Sequence, residues 1–294
     1  IAPAPRMEGT VYVSENGNDE TGNGSEEQPF ATLEKAVTMA ASGDTIYVMS
    51  NLTVNESARF WNKDLIITSY EGTYTITRGN IKPTIDQARG GYNGAILEVN
   101  GSLFLSNIIL DDNGAYEGTR FVQAESGNHG KTEIKWEENK EPEIINNGDI
   151  VQDAIIASYD GAGDITLGEG AILKNFGGMS AVRFGGNGGS LTMLSGSKII
   201  DDSVSDRKKV VAKDFGPAGA VWMQGGTFVM EAGSEISDVV GRAVYVDGGE
   251  ATISGVIKDI QADPDMWQGR QGIAVHVRLQ YMAQTLRQKK IPRL

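Results

Sequence analysis

Acidic and amide residues recur at one place in a repeating phrase, where they could carry proton transfer or cation binding. Asp111, Asn175, Asp201, Asp238 and Asp259 each close a short apolar run, and acids are doubled at Asp111 with Asp112 and at Asp201 with Asp202. Carboxylates packed so closely raise one another's pKa, the condition for a general acid beside a base or nucleophile. Asp201, Asp202 and Asp206 are the first candidates for a catalytic set, because they adjoin the phrases holding Arg183 and Trp222. The same acids would suit Ca²⁺, which takes about six to eight oxygen ligands. A stack of Asx residues at a chain corner would equally satisfy turn backbone groups and do no chemistry.

A second set surrounds them. In the phrases AVRF, AVWM, AVYV and AVHV, period two buries the second and fourth residues and turns the third outward. The third places hold Arg183, Trp222, Tyr245 and His276, with Ile156 in an earlier copy. Adjacent parallel strands lie about 4.8 Å apart, so these side chains should form one column. Aromatic rings beside Arg and His would make a platform for the apolar face of a sugar ring, with Trp267 as a further contact. Such ladders also stabilise sheets by packing alone. The two histidines, His129 and His276, lack clustered partners, which argues against a zinc site.

The elements that must position these residues are written three times between Ser180 and Ile260. SAVRFGGNGGSLTMLSGSKIIDD is followed by GAVWMQGGTFVMEAGSEISDV and RAVYVDGGEATISGVIKDI. Each copy holds three short alternating runs separated by Gly-rich corners, the signature of strands rather than helices. Ala220 to Ala243 is a step of 23 residues, within the range of solenoid repeats, in which each turn buries its inner face against its neighbours. The fold expected is an all-β parallel β-helix solenoid. Asp153–Phe176 and, more loosely, Ser102–Asp112 are earlier copies, and Leu65–Thr68, Tyr74–Thr77 and Ala95–Val99 are early strands.

Insertions interrupt this rhythm at about 113–152, 203–219 and 261–271. They fall between the third strand of one turn and the first of the next. Insertions that share one edge of a solenoid usually form its binding face, although surface loops also tolerate length at little cost. The tail 279–294 lacks acids and fits no repeat. Leu279, Met282 and Leu286 are spaced for an amphipathic capping helix, and a truncation or altered frame would leave the same trace.

Residues 11–54 contain VYVS, an Asn/Gly loop from Asn16 to Ser25, PFATLEKAV and GDTIYV. Thr32 is placed as an N-cap, and Leu33, Ala36, Val37 and Ala40 recur at helical spacing until Ser42 and Gly43. This helix would cover the open end of the solenoid, making 1–54 a cap and 55–278 the coils. The segment resembles the opening cap of bacterial right-handed β-helix proteins of the pectate-lyase-like superfamily. The resemblance implies a secreted or cell-surface protein of Gram-positive bacterial type, in a group that includes glycoside hydrolases and large adhesins. The paired-acid, GHG and RIK signatures of polygalacturonases are absent.

Composition bounds the partners. The chain of 294 residues has 38 Gly, 8 Pro, no Cys and a formal net charge of −13. Such a charge disfavours nucleic acid and anionic membrane surfaces, and no apolar run approaches the roughly 18 residues of a membrane span. The reading is a monomeric, extracellular or cell-surface protein with a glycan or polysaccharide as partner and no resident cofactor, Ca²⁺ being the alternative. A glycosidase would use two carboxylates across the scissile bond. An adhesin or stalk would use the corner loops alone.

Overall fold

In the computed structural model, which describes residues 9–79, 81, 84–86, 91–113, 134–135, 143–144, 154–158, 163–176, 180–186, 188–201, 220–239, 241–261 and 273–278, the alternating runs are strands that pair in parallel. Within a repeat, the three successive strands do not pair with each other. Each instead joins the equivalent strand of the repeats before and after it, so the strands sort into three ladders.

The first-strand ladder runs through the opening half of Ala58–Ser69, the opening half of Leu97–Ser106, then Ala154–Ser158, Ser180–Phe184, Val221–Gln224, Arg242–Asp247 and Ile273–Arg278. The second-strand ladder runs through Thr10–Val13, Thr45–Val48, the closing halves of the same two long strands, Asp164–Leu167, Ser190–Met193, Thr227–Met230 and Glu250–Ile253. These two ladders share one 13-stranded sheet because the two long strands bend through both. The third-strand ladder is a separate 7-stranded sheet: Leu52–Val54, Tyr74–Arg78, Ile108–Asp111, Ala171–Lys174, Lys198–Ile200, Glu235–Ser237 and Val256–Lys258. The molecule is therefore mostly β, with parallel sheets that nearly close on themselves.

Inward residues of all three ladders meet in one core cluster. Val182, Phe184, Val221, Met223, Val244 and Val246 belong to it, as the alternation predicts. Val275 is in register with Val244 yet 39% exposed, because its strand ends the ladder and nothing among the described residues stacks upon it. The earliest copy is also shifted by one. Ile156 pairs with Val182 and Ala157 with Arg183, so Ala157, not Ile156, holds the outward place.

The corner between first and second strands dictates glycine. Gly101, Gly163, Gly189, Gly226 and Gly249 precede successive second strands, and a Cβ on each would fall 2.2, 3.0, 2.7, 2.4 and 2.4 Å from backbone oxygens of Lys63, Val99, Gly163, Gly189 and Gly226. Backbone crosses backbone there, leaving no room for a side chain.

The helix Leu33–Met39 forms where expected. Thr32 caps it, its hydroxyl accepting from Lys35 N–H at 3.2 Å and donating to Asp19 Oδ2 at 2.7 Å. Leu33, Ala36 and Val37 enter the core cluster. Its far end is held by Lys63, whose ammonium donates to the carbonyls of Val37, Thr38 and Ala40 at 3.1, 3.0 and 2.8 Å, the favourable placement for a cation at a helix C-terminus. Lys63 sits at the bend of Ala58–Ser69, beside Asn62 with φ of 53°.

Beyond residue 54, the long connections leave a third strand and enter a first strand: Arg78 to Leu97, Asp111 to Ala154, Ile200 to Val221 and Lys258 to Ile273. The first of these was not singled out by the sequence. It carries the antiparallel pair Thr84–Asp86 with Gly91–Asn93, and the second carries Ile134–Lys135 with Glu143–Ile144. The insertion at 203–219, residues 262–271 of the next and the tail 279–294 lie outside the described residues.

One ion pair anchors this corner. Arg78 and Asp112 are both fully buried and paired through Arg78 Nε. Arg78 also donates to the carbonyls of Gly94 and, at 2.9 Å, Ala154, so one guanidinium ties the ends of three successive repeats. Removing one partner strands a buried charge, which costs far more than replacing both by apolar groups. Asp112→Asn or Arg78→Met should therefore lose about 3 to 5 kcal/mol in a urea titration. The Arg78→Met/Asp112→Leu double variant should recover most of that loss, and equal loss in the double would show that the pair is not acting as a unit.

Candidate functional site

The outward column of the first-strand ladder is continuous in register: Arg59, Glu98, Ala157, Arg183, Trp222, Tyr245 and His276. The sequence placed Arg183, Trp222, Tyr245 and His276 in it, and their strands are neighbours in that order. Arg59 and Glu98 extend it with an ion pair at 3.0 Å. The sequence reading missed them because the long strand Ala58–Ser69 carries no AVxV phrase.

This column is not an open platform. Trp222 is 8% exposed and Tyr245 4%. The Arg183 guanidinium of the neighbouring repeat lies 4.4 Å from the Trp222 ring centroid, and the guanidinium of Arg242, from the same strand as Tyr245, lies 5.0 Å from the Tyr245 ring centroid. A sugar needs a free ring face, and the ladder has used these faces for cation–π packing. Glu98 and Ala157 are also buried, and Ala157 joins Ala95 and Ala154 in a small cluster outside the main core. The outward side of this ladder is thus covered, whereas outward residues of the second ladder such as Asp164 and Thr227 are exposed.

No family model, curated protein or solved structure matches the chain. Its chemistry has to be read from the geometry alone.

The acid column resolves into a corner device. Register aligns Asp112, Asn175, Asp201, Asp238 and Asp259 immediately after the third strands, so Asp112 rather than Asp111 is the equivalent residue. Asn175, Asp238 and Asp259 have φ of 57°, 58° and 54°, the left-handed region that Asn and Asp tolerate better than other side chains. Asp111 accepts from Asn113 N–H and Asn175 Nδ2, each at 2.9 Å, and lies 3.4 Å from Lys174 Nζ. These residues turn the chain and join adjacent repeats.

Asp201 has no exposed surface. In this geometry its carboxylate presents no surface to solvent. Asp202, Asp206, Trp267 and His129 lie outside the described residues, and only the backbone of His276 is described. Among the described residues, no three His, Asp or Glu side chains converge as a metal-binding set. No described helix is long and apolar enough to cross a membrane.

Another aromatic group escaped the sequence reading. On the outward side of the second ladder, Tyr12 and Tyr47 stack at 5.3 Å, and Tyr70 packs edge-on against both at 5.3 and 5.6 Å. The Tyr70 phenol donates to Glu26 Oε1 at 2.9 Å, and that hydrogen bond pushes its pKa up to about 12. Burial is the main cause that raises Tyr12. The repeated VYV and IYV phrases carried the signal for the first two rings.

The burial of Trp222 makes a direct prediction. Trp222→Ala should destabilise the protein by about 3 kcal/mol, in the range of a packed aromatic, seen as an early thermal transition. A variant as stable as the parent would restore the exposed-platform reading.

Proposed function

We propose that this chain is a right-handed parallel β-helix of the pectate-lyase-like kind, secreted or held at the cell surface, which presents its corner connections to a glycan without cutting it. The observation that carries the reading is the placement of the long connections beyond residue 54, which run between a third and a first strand while the other two corners of those repeats stay tight. A solenoid with insertions on one edge gathers them into one binding surface. The resemblance of residues 11–54 to β-helix caps supports the cell-surface setting.

The non-catalytic form is favoured over a glycosidase by the fate of the acids. Asp112 is neutralised by Arg78, Asp201 is fully buried, and the Asx column serves the corners. A two-carboxylate mechanism needs both groups to face the scissile bond. The outward ladder is equally committed, since Trp222 and Tyr245 pack against arginines.

The test pairs a glycan array with an assay for released reducing ends. The parent chain should bind a glycan class without releasing ends, and replacing residues 203–219 by a short Gly-Ser linker should abolish binding at unchanged thermal stability. Release of reducing ends would overturn the non-catalytic reading. Failure of the chain to bind any glycan, or binding that survives replacement of both 203–219 and 262–271, would overturn the corner surface.

A further inference from the structure

The tyrosine group at the start of the second ladder contrasts with the aromatic column of the first. Trp222 and Tyr245 each have a guanidinium against the ring. Among the described residues no Lys or Arg lies over Tyr12, Tyr47 or Tyr70. Two lysines of the cap region are engaged elsewhere: Lys35 lies over Phe30 at 5.8 Å, and Lys63 donates to the carbonyls at the helix end.

Backbone pairing brings the three rings together. Tyr12 and Tyr47 are register partners, and Tyr47 pairs in turn with Thr68. Tyr70 follows two residues later, where its N–H donates to Val48 O at 2.8 Å. Its phenol reaches Glu26, in the loop whose Gly24 carbonyl accepts from Tyr12 N–H at 2.9 Å. The Tyr70 side chain therefore spans the stack, with its ring plane at 87° to Tyr12 and 72° to Tyr47. Tyr12 is buried, whereas Tyr47 and Tyr70 keep part of their surface in solvent.

Carboxylates surround these rings. Glu26, Glu27 and Glu71 are exposed, and residues 11–31 contain Glu15, Asp19 and Glu20 as well, with no Lys or Arg. Burial comes first in raising the Tyr12 phenol, and the Glu26 hydrogen bond first in raising Tyr70. The carboxylates that add to these effects are Glu26 and Glu27 for Tyr12, and Glu26 and Glu71 for Tyr70.

Electron-rich rings beside carboxylates attract a cation, and such aromatic surfaces suit quaternary ammonium groups in particular. A primary ammonium is a strongly hydrated point charge and gives up its water less readily. We infer that Tyr47, Tyr70 and Glu26 form a binding site for a quaternary ammonium group, with choline as its simplest bearer. The methyl groups rest on the exposed surface of the two rings, and the charge is met by Glu26 with Glu27 and Glu71 nearby. This site lies outward of the second ladder, whereas the long connections leave from the third, so it is tested separately from the glycan surface.

The test is a titration of the full chain with choline chloride at constant ionic strength, followed through the tyrosine ring protons by NMR. Choline and tetramethylammonium should shift the Tyr47 and Tyr70 signals saturably, and neohexyl alcohol, the uncharged carbon isostere of choline, should not. Tyr70→Ala and Glu26→Gln should each weaken choline binding about fivefold, the scale of one half-exposed cation contact. Circular dichroism checks folding, and the exposed Glu26 gives a variant that keeps the test decisive if Tyr70→Ala does not fold. Co-sedimentation with phosphatidylcholine vesicles would assign the group to a lipid headgroup, and choline binding without it to a soluble ligand. An equal response to neohexyl alcohol, no saturable response to choline, or an affinity unchanged by Glu26→Gln would each overturn the inference.

Discussion

Backbone lying directly on backbone is the constraint from which the rest of the molecule follows. At the corner before each second strand, the carbonyl of the preceding repeat occupies the space a Cβ would need, which leaves glycine at positions 101, 163, 189, 226 and 249. Contact this close fixes the vertical spacing of the repeats. Fixed spacing in turn forces every inward side chain over its equivalent, so the core is a set of columns rather than a three-dimensional puzzle. The same spacing acts outward, where Arg183 lies over the ring of its register neighbour Trp222, and both Trp222 and Tyr245 keep little exposed surface.

Interruptions of the stack are costly unless something holds their base. Two long connections leave near Arg78 and Asp112, and there the corner device changes from an Asx turn to a buried ion pair with two further carbonyl contacts. A charged pair is a poor way to gain net stability. It is a directional one, and it ties the departing and returning chain where a corner turn alone would leave both free. At later corners with short returns, Asn175 and Asp238 suffice with positive φ.

Much of this was legible in the sequence because a chain of stacked repeats writes the same instructions several times. Period-two runs gave the strands, Gly pairs gave the corners, and Thr32 with the spacing from Leu33 to Ala40 gave the cap helix. What failed did so for local reasons. The earliest AVxV-like phrase, DAIIAS, contains two equally apolar alignments, and the register chosen by opening alanines put Ile156 outward where Ala157 stands. Asp111 and Asp112 are adjacent, so only pairing could tell which one enters the column. The burial of Trp222 was invisible because alternation says which way a side chain points and nothing about what covers it. Arg78 gave no signal, since its partners lie 34 and 76 residues away.

The stacked register is open to direct measurement because the chain has no cysteine. Thr166 and Thr192 are outward neighbours in adjacent repeats, and Val229 is the next in the same column. Parallel neighbours about 4.8 Å apart are within reach of a disulfide, and residues two strands apart are not. Mild oxidation of the Thr166→Cys/Thr192→Cys variant should give an intramolecular cross-link in nearly every molecule, with none in Thr166→Cys/Val229→Cys. No cross-link in the first variant, or equal cross-linking in both, would contradict the stack.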